Sequence, residues 1–171
     1  MSTMIESALQ FATLAHADQT RKYTGEPYVN HCIEVSDIVR EHGGSEAQIA
    51  AALLHDTVED TPVTIDQIHS EFGEEVALLV AWLTDVSKPE DGNRATRKAL
   101  DREHTFKAPA TAQFIKLADL ISNTKSISEH DPGFARVYLR EKQLLLEGLR
   151  ASVKQTKLYS IAFNQVEKFL K

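Results

Sequence analysis

Six side chains in this 171-residue sequence have the types and spacing to do chemistry together: His31, His55, Asp56, Glu59, Asp60 and Asp119. Four of them close one stretch, Ala50-Ala51-Ala52-Leu53-Leu54-His55-Asp56-Thr57-Val58-Glu59-Asp60-Thr61, in which an apolar run leads straight into ionisable residues. An Ala/Leu run without strand-like alternation predicts a helix covered on most sides. Charges at the end of such a helix are costly unless they are paired or coordinated. A salt bridge or an exposed helix end accounts for one carboxylate. For His-Asp followed by Glu-Asp, a bound cation is the more economical explanation. His55 and Glu59 are spaced i,i+4, as are Asp56 and Asp60, so a continuing helix lays two neighbouring stripes at one place. Thr61-Pro62 stops that helix, because a residue before proline is pushed out of the α region.

His31 shares the inward side of a helix predicted from about Asn30 to Gly43-Gly44, with Val35, Ile38 and His42. Alone, a histidine there reads as a hydrogen-bonded core residue. Asp119 interrupts the apolar face Phe114, Ile115, Leu117, Ala118 and Ile121 of a helix expected over 111–127, with Asn123 one turn on. Propensity and burial both disfavour an aspartate there, and an ion pair with Lys116 or Lys125 is the competing account. Taken together, two imidazoles and two carboxylates form a mixed donor set suited to Mn²⁺, Fe²⁺ or Zn²⁺. A His-Asp pair in a chain with seven histidines is a weak signal. The order His…His-Asp…Asp on separate helices is a much stronger one.

The elements that position these residues all read as helices. Ile5, Ala8, Leu9, Ala12 and Ala15 share a face, Thr3 and Glu6 form a capping box, and that helix is expected to run to about Ala17. The loop from Asp18 to Tyr28 holds Arg21, Lys22, Gly25 and Pro27; it reads equally as a solvated loop or as one that meets an anionic ligand. Ser45 with Gln48, and Thr64 with Gln67, cap two further helices. The segment 74–84 is apolar nearly all round and is expected at the centre of the core, with Trp82 packing. A polar loop over 84–92 precedes a charged helix over 93–104 carrying Arg94, Arg97 and Lys98, by default a solvated face. Asp131-Pro132 opens a long helix through Leu149, and Ser152 begins the last one. The expectation is an all-α helical bundle of eight or nine helices, one domain spanning residues 1–171.

Composition narrows the function classes. A formal net charge of −6 argues against a general nucleic-acid binder. Cys32 is the sole cysteine, which excludes an intrachain disulfide and fits a cytoplasmic location. No apolar run approaches a membrane span, the N-terminus does not resemble a signal peptide, and the glycines form no phosphate-binding loop. Self-association into a homo-oligomer is compatible with the chain, but its order is not legible.

Longer wording carries a resemblance. Ala15-His16…Gln19…Arg21-Lys22…Gly25-Glu26-Pro27-Tyr28…His31, then Ala52 to Thr61, Phe72-Gly73, Thr84-Asp85 and Lys116-Leu117-Ala118-Asp119…Asn123 resemble the HD-domain phosphohydrolase superfamily. Within it the chain looks like the hydrolase domain of RelA/SpoT-type alarmone enzymes, above all the stand-alone small alarmone hydrolases of the metazoan SpoT-homologue type. The resemblance covers roughly residues 5–150 and implies an Mn²⁺-dependent (p)ppGpp 3′-pyrophosphohydrolase. It implies one Mn²⁺ held by the residues matching His31, His55, Asp56 and Asp119, and water activated and positioned by Glu59 and Asp60. The substrate, ppGpp or pppGpp, is then met by Arg21, Lys22, Tyr28, Arg97, Lys98, Asn123 and Tyr138. Cys32 replaces the family's usual proline and Leu120 its usual Lys or Arg, which removes one cationic contact.

Two rivals accompany this reading. Another nucleotide phosphatase of the superfamily, an NADPH 2′-phosphatase or a 5′-nucleotidase, shares the metal set; Glu59-Asp60 and the Arg21–Tyr28 loop argue against the 5′-nucleotidase. A non-catalytic alarmone-binding module is expected to have lost Glu59 or a metal ligand, and this chain has lost neither.

Overall fold

The structure is a computed structural model and describes residues 2–171. Eleven α-helices and one 3₁₀ turn follow one another, with no strand among the described residues and a single isolated bridge between Thr20 and Pro27. The chain divides into two compact units, one ending at Thr84 and one running from Asp85 to Lys171.

The first unit is built on α3 (Glu46–Leu54), which packs against α1 (Met4–Ala15), α2 (Val29–Glu41) and α6 (Glu74–Leu83). Ala50, Ala51, Ala52 and Leu54 are fully buried, and three alanines in a row let three helices approach one axis. All three predicted capping boxes form: Thr3 with Glu6, Ser45 with Gln48, and Thr64 with Gln67 at the start of α5 (Ile65–Phe72). Gly43, at φ +82, ends α2 in a conformation open to glycine at little cost.

Four details differ from expectation. Helix α1 ends at Ala15, with His16 as its C-cap. The buried face of α2 is Val29, His31, Cys32, Val35, Ser36 and Val39, so Ile38 and His42 lie at its margin. Leu78 of α6 is 54% exposed, so that helix is not covered all round. The helix carrying the His-Asp pair breaks into α3, a turn at His55-Asp56, and the one-turn α4 (Thr57–Asp60). Side chains cause the break: His55 Nδ1 and Thr57 Oγ1 donate to the Ala52 and Leu54 carbonyls, both at 2.7 Å.

In the second unit α8 (Ala110–His130) packs against α9 (Pro132–Gly148), α10 (Ala151–Lys154) and α11 (Lys157–Leu170). The predicted last helix is thus divided, the single turn α10 preceding α11. Helix α7 (Arg94–Lys107) packs on α9, and its Arg94 grips Glu141 through two hydrogen bonds of 2.8 and 2.9 Å. Asp101, which is buried, accepts from the Val86 and Ser87 amides and the Ser87 hydroxyl, tying the loop before α7 to the helix. The nine longer helices are those expected from the sequence; α4 and α10, four residues each, complete the set.

Candidate metal centre

The C-terminal end of α3 presents His55 and Asp56, and α2, packed alongside, presents His31. Both histidines are 2% exposed. Each of the three residues offers one ligand atom, and these atoms lie within 4.8 Å of one another. His55 Nε2 is 3.1 Å and His31 Nε2 3.6 Å from Asp56 Oδ2, with the two imidazole rings 5.2 Å apart.

The hydrogen bonds around this trio show what it can hold. A carbonyl oxygen only accepts, so the bond to Ala52 means that His55 Nδ1 carries the proton. In the neutral ring Nε2 is then a bare lone pair aimed at a carboxylate oxygen. Two lone pairs 3.1 Å apart repel unless a cation lies with them. A proton, making the imidazolium, or a metal ion both answer this. Fixing the tautomer through the far nitrogen is the usual support of a metal-ligating histidine. The donor set, two imidazoles and a carboxylate at the end of an apolar helix, fits a divalent ion.

Tyr28 approaches from the loop between α1 and α2. Its hydroxyl donates to Asp56 Oδ2 at 2.7 Å, and its ring lies 4.9 Å from His16 and 5.8 Å from His31. The loop is a closed turn: Arg21 N donates to Glu26 O, Gly25 N to Arg21 O, and Tyr28 N to Gln19 O. It displays Arg21 half-buried and Lys22 exposed, the latter over the Tyr23 ring.

Glu59 and Asp60, on α4, are both exposed. Burial of part of the Asp60 carboxyl, with repulsion from Asp56, holds it above its ordinary range; His16, His55 and a hydrogen bond from Tyr28 pull the other way. His16, quoted among the residues that carry the resemblance, was given no role by sequence reasoning. It is 2% exposed, shares a hydrogen bond of 2.8 Å with Gln19 Oε1, and Gln19 in turn donates to the Asp60 carbonyl at 2.6 Å. His16 Nε2 is buried with no hydrogen-bond partner among the described residues. Its position four residues after the buried Ala12, with Gln19 three further on, was the available signal.

The second unit holds the remaining expected residues. Asp119 is 8% exposed; Asn123 Nδ2 donates to its Oδ1 at 2.7 Å, and Lys116 Nζ lies 3.4 Å from its Oδ2. Of the two lysines considered for that aspartate, Lys116 makes the pair and Lys125 is exposed. Lys98 is not solvated by default: it binds Asp85 at 2.9 Å and lies 3.5 Å from Asp101. Arg97 buries its Nε without a hydrogen-bond partner among the described residues. Tyr138 is 6% exposed, with its ring 4.9 Å from Lys142 Nζ.

A family model described as "HD domain" matches residues 8–151, through both units. The guanosine-3′,5′-bis(diphosphate) 3′-pyrophosphohydrolase MESH1 of Drosophila melanogaster is 37% identical over 134 residues, covering 77% of this chain and 73% of the fly protein. The chain belongs to the HD-domain family and groups with the MESH1 proteins. A probable guanosine-3′,5′-bis(diphosphate) 3′-pyrophosphohydrolase of Synechocystis sp. is 40% identical over 141 residues, 81% of this chain; the chain spans only 18% of that longer protein. Among solved structures, one described as a metazoan ortholog of SpoT that hydrolyzes ppGpp and plays a role in starvation responses matches with a TM-score of 0.85. It is 29% identical and is covered over 100% of this chain and 98% of its own. Among the described residues no helix is long and apolar enough to cross a membrane.

Proposed function

We infer that this HD-domain chain is a guanosine-3′,5′-bis(diphosphate) 3′-pyrophosphohydrolase, a hydrolase that releases pyrophosphate from the ribose 3′ oxygen of ppGpp or pppGpp. The observation that carries the reading is the His31–His55–Asp56 trio at the end of α3, inside a match to MESH1 proteins that extends over most of the chain. The three donors would hold one divalent ion. Asp119 joins them in the proposal on the strength of the sequence order His…His-Asp…Asp and of its burial beside Asn123. Mn²⁺ is the proposed ion, since a mixed imidazole–carboxylate set suits it. When bound, such an ion lowers the pKa of coordinated water and offsets phosphoryl charge.

The chain's own residues account for the rest. Glu59, exposed one turn beyond His55, is placed to take a proton from water at the mouth of the site. Asp60 is anchored through its backbone by Gln19 and repelled by Asp56, and it serves to orient that water rather than to ligate. Tyr28 holds the Asp56 carboxylate in place. Arg21 and Lys22 in the first unit, and Arg97 and Lys98 in the second, supply the cations that a polyanionic substrate requires of a protein with a net charge of −6. Asn123 and Tyr138 are proposed to meet the ribose or base. Steady-state turnover of ppGpp by the purified chain with Mn²⁺, abolished by EDTA and restored by added Mn²⁺, tests the reading. An absence of turnover under all metals overturns it.

A further inference from the structure

His16 sits where α1 gives way to the loop that carries Tyr28, and its backbone is fixed on both sides. Its amide donates to the Ala12 carbonyl as the C-cap of α1, and its carbonyl accepts from the Gln19 amide, both at 3.0 Å. Gln19 then reaches two ways. Its carbonyl accepts from the Tyr28 amide at 2.9 Å, and its side-chain Nε2 donates at 2.6 Å to the Asp60 carbonyl, 41 residues along the chain. One residue therefore joins the tyrosine that holds Asp56 to the helix that carries Glu59 and Asp60. That helix, α4, has four residues, too few to be stable alone, so contacts from outside set its position.

The hydrogen bonds also place the proton on His16. A backbone carbonyl only accepts, so the Gln19 amide turns its nitrogen to Asp60 and its Oε1 to His16. Oε1 only accepts as well, and its 2.8 Å contact with His16 Nδ1 therefore needs the proton on Nδ1. In the neutral ring Nε2 is left as a bare lone pair, buried and without a hydrogen-bond partner among the described residues. An orphaned buried acceptor destabilises a fold. A leucine would fill the space beside the Tyr28 ring, 4.9 Å away, without that loss. What an apolar side chain cannot supply is the Nδ1 proton that holds Gln19.

We propose that His16 is a positioning residue for the hydrolysis: its Nδ1–H holds the Gln19 amide, the amide holds α4, and Glu59 and Asp60 are thereby kept in place to meet the attacking water. The roles of Glu59 and Asp60 rest on the pyrophosphohydrolase reading above; the hydrogen-bonded link itself does not. The metal trio is supported separately, His55 through the Ala52 carbonyl and Asp56 through the Tyr28 hydroxyl. Loss of the link therefore displaces α4 and leaves the metal donors where they are. The effect falls on kcat, with KM and metal affinity kept, because misplacing a reacting group weakens the transition state alone.

The test uses the full chain with His16→Leu, His16→Asn, Gln19→Leu and the double variant His16→Leu with Gln19→Leu. Asparagine offers an amide N–H in the place of Nδ1–H, and leucine does not. With Mn²⁺ and ppGpp, kcat is expected to fall roughly 10–100-fold in each leucine variant, with KM and metal affinity unchanged. The double variant should be no worse than the more affected single one, and His16→Asn should recover most of kcat. A reading without turnover comes from nitrogen NMR of isotope-labelled, EDTA-treated protein: neutral His16 should carry its proton on Nδ1, and α4 amides should exchange faster in Gln19→Leu. A proton on Nε2, additive losses in the double variant, or an asparagine variant no better than leucine overturns the proposal. So does a His16→Leu protein with weakened metal binding, since that marks packing on Tyr28. Should His16→Leu not fold, Gln19→Leu at its partly exposed position decides alone, and an unchanged kcat there overturns the proposal. A wild type with the expected tautomer and exchange pattern that leaves ppGpp intact supports the link and overturns the activity instead.

Discussion

His55 Nε2 faces Asp56 Oδ2 across 3.1 Å, while its Nδ1 is committed to the Ala52 carbonyl. This pair of adjacent residues could hold a cation because the turn after α3 fixes both the tautomer of one and the orientation of the other. His55→Ala is expected to lose the bound metal and activity together, and Asp119→Asn to lower metal occupancy with the fold intact. Metal analysis of the purified variants beside their circular dichroism checks this. Full occupancy in both variants would misplace the centre. Because imidazole must be neutral to ligate, metal affinity should weaken as pH falls below about 6.

Tyr28→Phe separates two roles for one side chain. Its hydroxyl donates to the Asp56 carboxylate at 2.7 Å, so the variant should bind metal about tenfold more weakly, as loss of an outer-shell hydrogen bond does elsewhere. Competition with a metal chelator reads this directly. An unchanged metal affinity with a raised KM for ppGpp would instead make Tyr28 a substrate contact.

Glu59→Gln should retain metal and nucleotide binding while turnover falls by roughly 10²–10⁴, the usual worth of a positioned general base. Equilibrium binding of ppGpp to this variant, next to its single-turnover rate, distinguishes catalysis from ligation. A variant that lost its metal would refute the assignment.

Much of this was legible in advance because it is local. Capping boxes such as Thr3 with Glu6 are read within four residues, and the Ala50–Leu54 run announces its own burial. His55-Asp56 followed by Glu59-Asp60 is likewise contiguous. The break between α3 and α4 was not legible, since it depends on two side chains choosing backbone carbonyls over solvent. Nor was the attachment of Lys98 to Asp85 and Asp101, which α7 and its preceding loop bring together only when folded.

Lys142 gives a pH signature. Its pKa is lowered to about 8, from the 10.5 of an ordinary lysine, by burial first and by Lys116 next. A lowered lysine pKa means the folded state holds the proton at a cost that is fully present below pH 8. The cost is relieved as pH rises from 8 to 10.5, where the unfolded chain still binds the proton and the folded one has released it. The facing groups keep their charge through that window: Lys98 is held up by Asp85 against burial, Asp85 is held down by Lys116 and Lys98 against burial, and Tyr138 is held neutral by burial and Asp119. K142M should therefore melt about 2–4 °C above wild type at pH 7, with the gap closing toward pH 10. Thermal melts across that range, without nucleotide, check it; a K142M protein less stable at every pH contradicts it.

The bond that is cut separates a pyrophosphohydrolase from a phosphatase. The most direct measurement is phosphorus NMR of ppGpp incubated with the purified chain and Mn²⁺, with NADPH as a parallel substrate. Pyrophosphate and GDP appearing in equal amounts, with NADPH cleaved more slowly, is the predicted result. Orthophosphate in place of pyrophosphate, or NADPH cleaved far faster than ppGpp, would contradict it.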